Sequence, residues 1–195
     1  KQNLTLYATH KKTVKNVKQA PSKAVPAAFT LLLHEYLESR GQQAEKVLGS
    51  ARPKVDATDN QRVSVERWEQ QLVQAAKCLD EPHLGLELGA MITPKHLGLL
   101  GHLLLACENF GDVLDRLVRY QRLIFDAIPM TRHDGPEIVE MVWDISEFQT
   151  GILVGEVGFA AMVQFCRLVM LGEANPHSVD FAHPAPKDIR PYEIF

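Results

Sequence analysis

Paired cysteines are the first thing missing from this chain. Only three occur in 195 residues, Cys78, Cys107 and Cys166, far apart and without repeated spacing. An odd, scattered set argues against a disulfide framework and gives a cytoplasmic, reducing compartment as the expectation. Acidic residues are absent from the first 34 positions, which hold Lys1, Lys11, Lys12, Lys15, Lys18 and Lys23; the first acid is Glu35. Beyond that point 15 basic residues face all 24 acidic ones, so the bulk of the chain is mildly acidic and bulk charge does not suit it to nucleic acid. No run of 18 uncharged apolar residues occurs, so no membrane span is expected, and the start lacks a signal-peptide apolar region.

Reaction motifs are missing as well. HExxH, CxxC, Gly-x-Ser-x-Gly and a phosphate-binding glycine loop do not occur. The histidines are His10, His34, His83, His96, His102, His133, His177 and His183. His96 and His102, six apart, would project about 240° from one another on a helix, which does not make a metal site. Neither a metal, a cofactor nor catalysis is expected, and a surface or capping role suits each histidine better.

What is present is helix. The composition, 46% hydrophobic and 23% charged, is that of an ordinary globular domain with enough apolar material for a core. Residues 1–26 have weak periodicity, end in Ala-Pro-Ser-Lys-Ala-Val-Pro, and read as a basic tail or linker. Residues 27–195 read as one domain. Helices are expected over 27–40, stopped by Gly41; over about 43–49; over 65–79, capped by Ser64; and over 83–91. Residues 50–62 read as a polar connection.

Thr93-Pro94 opens a further, apolar helix in which Gly98 and Gly101 share a face, a sign of close backbone approach. Asn109 caps an amphipathic helix, expected to run 110–128 until Pro129 ends it, with Asp112–Arg116 and Asp115–Arg119 paired along its wet side. A hairpin follows, Met130–Arg132 with 138–144 around His133-Asp134-Gly135-Pro136. Residues 152–172 form the most apolar helix, apolar on nearly every side and therefore core. Residues 178–182 read as a strand, and 187–195 begin another helix. The expected fold class is α+β, predominantly helical, a helical core with a short antiparallel hairpin or small sheet.

Several stretches, taken in their order and spacing, carry a family resemblance. They are Leu37-Glu38-Ser39-Arg40-Gly41; Asp80 through Gly89; His96-Leu97-Gly98-Leu99-Leu100-Gly101 followed by Asn109 through Leu123; and Val179 through Pro186 with Tyr192 and Phe195. Over about residues 27–195 the chain resembles the N-terminal effector-sensing, arabinose-binding-like domain of AraC-type transcriptional regulators. It departs from the usual pattern at Asn109-Phe110, where that family has Thr-Leu. The resemblance implies a ligand sensor that forms a homodimer and acts on DNA through a C-terminal helix-turn-helix domain, which would lie beyond Phe195.

On that view a small-molecule effector sits between helices with few polar handles. Glu156, Gln164 and Arg167 interrupt the apolar 152–172 helix within about 80° of one another and are candidate handles; Trp143 is a candidate wall. The plainer readings are a narrow solvated edge with a Glu–Arg contact, and core. Leu123 and Phe125, beside the apolar stripe of the 110–128 helix, are candidates for a dimer face. The alternative is a free-standing small-molecule-binding or protein-interaction domain with no role on DNA.

Overall fold

In the computed structural model residues 3–9, 23–54, 61–170 and 175–195 are described. The chain opens with a strand, β1 (Asn3–Thr9). A short strand β2 (Ala24–Pro26) leads into α1 (Ala27–Ser39) and α2 (Ala44–Leu48), which ends on Gly49 in the left-handed conformation. Strand β3 (Arg62–Ser64) runs into α3 (Val65–Leu79), where the Ser64 hydroxyl accepts from the Arg67 N–H at 3.2 Å. Then come α4 (Leu84–Ala90), a 3-10 turn (Pro94–Leu97), α5 (Leu99–Leu105) and α6 (Phe110–Tyr120). Asn109 caps α6, its side-chain oxygen accepting from Asp112 N–H at 3.0 Å. The hairpin is β4 (Met130–Asp134) and β5 (Ile138–Asp144), followed by α7 (Ile152–Val169), β6 (Pro176–Asp180) and α8 (Arg190–Ile194). The fold is α+β and mainly helical, as its periodicities require.

The first correction concerns the basic tail. Asn3–Thr9 is an interior strand of a four-stranded sheet ordered β4-β5-β1-β6, parallel to both β5 and β6. Leu4 and Leu6 are buried opposite Val139 and Met141. The alternation Leu4, Leu6, Ala8 is the ordinary signature of a strand with one face on a core; the surrounding lysines mask it in a composition count. Ala24–Pro26 likewise pairs, antiparallel to Arg62–Ser64, which takes the end of the expected polar connection into a ribbon. Residues 10–22 and 55–60 lie outside the described residues, as do 171–174 at the expected end of the 152–172 helix.

The second correction concerns the helices of 94–128. The first is not continuous: Gly98 has φ +58 and ψ −139, a backbone region open essentially to glycine, and separates the 3-10 turn from α5. Gly101 abuts the Pro94 carbonyl, so close approach holds for that glycine. The second helix stops at Tyr120, with a 3-10 turn over Gln121–Leu123. Gln121 donates to the carbonyls of Val118 at 3.0 Å and Met130 at 2.8 Å and accepts from Met130 N–H at 2.6 Å, tying the helix end to the start of β4. Arg62 donates to the carbonyls of Arg122 and Leu123 and pairs with Asp126 at 3.4 Å, holding the segment against the β2–β3 ribbon. These tertiary bonds outweigh helix propagation, which adds only a small increment per residue. The expected pairs of the wet face are also replaced: Arg116 donates to the Leu103 carbonyl at 2.7 Å, and Asp115 meets Arg132 at 3.0 Å.

Helix α7 is the hub. It is long and apolar enough to cross a membrane, yet half of it is buried inside the fold. Gly85 and Gly89, one turn apart on α4, press against it. A Cβ on Gly85 would stand 2.6 Å from the Leu153 carbonyl oxygen, and one on Gly89 would stand 2.9 Å from the Val157 carbonyl oxygen and overlap the Ala160 side chain. Backbone cannot yield as a flexible side chain does.

Gly89→Val is therefore expected to lower unfolding free energy by about 3 kcal/mol, measured by urea denaturation. A second expectation comes from two buried histidines. Among the described residues His34 has no hydrogen-bond partner on either ring nitrogen, and burial lowers its pKa from 6.5. His96 accepts from Thr93 N–H at 3.0 Å through Nδ1, and burial, then the Lys95 charge, lowers its pKa. The unfolded chain thus takes up more protons than the folded one as pH falls through about 6.5, so stability is held above that value and lost below it. Urea midpoints at pH 7.5 and 5.5 should show this fall, and His34→Leu should shrink it.

Candidate functional site

One cavity of about 200 Å³ lies between the sheet, α7 and the 121–128 segment. Its walls follow from register. Ala8 pairs with Trp143, and Trp143 with Met130, so one cross-strand row of β1, β5 and β4 forms the sheet wall. Helix α7 supplies Val154, Gly155, Val157, Gly158, Phe159, Ala161, Met162 and Phe165. The inner end is closed by Val25, Phe29, Trp68 and Leu117, all buried. Ile124, Phe125 and Ile128 cover one side, and Phe181, Ala182 and His183 another. Gly155 and Gly158 face this space, and a Cβ built on either meets nothing within 4 Å. Glycine inside a helix costs about 1 kcal/mol relative to alanine; here no neighbour demands it, and its effect is open volume.

The polar lining is sparse: Gln121, Gln149, Thr150 and His183. Gln121 is already spent on backbone. Gln149 is exposed, and with Gly158 and Ala182 it marks the mouth. The His183 ring lies 5.0 Å from Phe181; its Nδ1 sits 3.0 Å from the Pro184 carbonyl oxygen, while Nε2 is buried without a partner. An Nδ1–H facing a carbonyl leaves Nε2 as an acceptor. Among the described residues no Lys, Arg, Asp or Glu lines the cavity. An apolar cavity with a mouth and a few polar groups has the character of a small-molecule pocket.

Residues 41–195 match the family described as the arabinose-binding domain of AraC transcription regulators, N-terminal. The chain belongs to that family. It is also similar to the ornithine utilization regulator of Pseudomonas aeruginosa, 26% identical over 180 residues, which cover 89% of this chain and 53% of the regulator. The chain thus spans about half the length of the curated relative it matches.

Within this arabinose-binding-type domain the sequence-derived site residues divide. Trp143 lines the cavity, 5.0 Å edge-on to Phe159. Glu156, Gln164 and Arg167 do not line it. Glu156 turns the other way, is fully buried, accepts from the Tyr192 hydroxyl and lies 3.2 Å from His83 Nδ1; its second oxygen has no partner. Arg167 donates to Asn175 Oδ1 at 3.0 Å and to the Phe195 carbonyl at 2.6 Å, with its guanidinium 5.0 Å from the Phe195 ring. Both therefore clasp the C-terminal segment onto α7. Neither the solvated edge nor the Glu–Arg contact describes them. Gln164 is half-buried on the same helix.

The two dimer-face candidates also separate. Leu123 is 52% exposed, whereas Phe125 packs on the core and lines the cavity. The helix that would have carried both on one face ends before either.

Gln149, Thr150, Trp68 and the two helix glycines do not stand out in the sequence as cavity residues, and His183 there suits only a surface or capping role. The signal within reach was Gly155 and Gly158, three apart in the most apolar helix. Burial, then the hydrogen bond to Glu156 and its charge, raise the Tyr192 pKa strongly, so the phenol stays protonated as the donor to Glu156. Removing that donor leaves a buried carboxylate less satisfied. Tyr192→Phe should lower stability by about 1–3 kcal/mol in urea denaturation and speed proteolysis near 181–195.

Proposed function

We propose that this chain is the effector-binding and dimerisation part of a bacterial AraC-type regulator that acts on DNA through a helix-turn-helix domain elsewhere in the protein. A small molecule enters the α7–sheet cavity and favours one arrangement of the domain, which changes how the DNA-binding modules are presented. The observation that carries this reading is the cavity itself, kept open by two helix glycines that packing does not require. Phe181 and His183 supply a second support. They belong to the segment that ends in α8, so occupancy and the position of that segment are linked through the chain. A cytoplasmic site of action and the absence of catalysis go with a regulator of this family.

The free-standing binding-domain reading shares the cavity and differs only in what the domain reports to. Leu123 remains a candidate for the dimer face through its exposure; Phe125 would have to leave the cavity wall to join it.

Equilibrium dialysis of the chain against a bacterial small-molecule extract, with mass spectrometry of what is retained, tests the sensor. Wild type should retain a compound that Gly155→Leu, which fills the space from a helix-compatible position, does not. Equal retention by both removes the cavity as the effector site. Sedimentation equilibrium tests dimerisation: a monomer at high concentration counts against the dimer.

A further inference from the structure

We infer that the ligand of this cavity is an uncharged, largely apolar molecule of about one substituted six-membered ring, carrying a single hydroxyl of the alcohol or phenol class. The inference rests on the sensor reading and narrows it. Size comes from volume: the cavity, about 200 Å³, slightly exceeds the roughly 150 Å³ space that takes benzene in a protein core. Polarity comes from the walls. The inner end is Phe29, Trp68 and Leu117, while Gln149 and Thr150 supply polar groups toward the mouth. One polar end of the ligand is therefore served and its body is not.

Charge comes from what surrounds the mouth. An ionised group held in an apolar cavity without a counter-charge is strongly disfavoured, and no Lys, Arg, Asp or Glu lines this one among the described residues. Positive potential beside the mouth comes from the N-terminus of α7, which opens at Gly151, and from the Lys23 ammonium, which lies 4.3 Å over the Phe148 ring outside the lining. At the helix terminus the Glu69 carboxylate lies against Gly151, where a Cβ would overlap it. A carboxylate there repels an anion at the mouth. A zwitterionic amino acid with a further ammonium group, such as the ornithine in the relative's name, finds no counter-charge among the described residues of the cavity wall.

The test uses the protein's own reporters, because both tryptophans, Trp68 and Trp143, line the cavity. The chain is titrated with 4-propylphenol, with its anionic isostere 4-propylbenzoate and with ornithine, following tryptophan fluorescence at pH 7. The expected result is saturation by the phenol, at least tenfold weaker binding of the benzoate and no response to ornithine. Glu69→Gln should narrow the phenol–benzoate gap, and Gly155→Leu should abolish the phenol response. Benzoate or ornithine binding as tightly as the phenol overturns the inference. So does an absent phenol response, which leaves the sensor reading to be decided by the dialysis result. A phenol response that survives Gly155→Leu places binding outside the cavity and overturns it as well.

Discussion

The contact of α4 with α7 is the constraint on which the rest depends. Gly85 and Gly89 bring the two helix backbones closer than any side chain would permit. Close approach fixes more than distance. It fixes the roll of α7 about its own axis, because Val157 and Ala160 must meet the glycine face. With that roll set, Glu156 turns toward His83 and Tyr192, while Phe159, Met162 and Phe165 turn toward the sheet. A rotation of one residue step, about 100°, would exchange these roles. One close contact thus assigns a helix that is apolar almost all round to two different tasks on its two sides.

Those tasks are joined by the C-terminal segment. Phe181 packs edge-on against Phe159 with ring centroids 5.0 Å apart and against Tyr192 at 5.3 Å, and Phe159 in turn meets Trp143 at 5.0 Å. The cavity wall and the Glu156 clasp are therefore successive members of one aromatic row. Edge-to-face pairs of this kind are directional as well as apolar, so a ring moved at one end finds its neighbours' preferred geometry altered. A buried carboxylate with one unpartnered oxygen sits at the far end of that row.

Much of the local structure was readable in advance. Ser64, Asn109 and Gly49 mark helix ends because each meets a demand of the backbone at its own position: an unpaired N–H to bind, or a left-handed residue to supply. The hairpin was readable from its change of period. The failures are of one kind. Asn3–Thr9 was hidden by the lysines beyond it, since a parallel strand takes its partners from residues more than a hundred positions away. The helix end at Tyr120 was hidden because a periodic apolar stripe continues through Ile124 and Ile128. Ile128 is indeed buried and Ile124 half-buried, though as cavity lining on a chain that has left the helix. Glu156 and Arg167 stood out as polar interruptions, but whether a polar residue in an apolar helix faces a ligand or a neighbouring segment depends on the direction in which the helix is rolled.

By itself the sequence determined most of the helices, the hairpin, the α+β class and the family, because capping, periodicity and turn chemistry act within a few residues of where they are written. Only the tertiary structure decided which face of α7 looks into the cavity, that the first strand completes the sheet, and that Glu69 occupies the helix terminus at the mouth. Each of these turns on two backbones meeting at a particular distance and angle. No residue carries that information alone; it arises where Gly85, Gly89 and the far side of α7 come together.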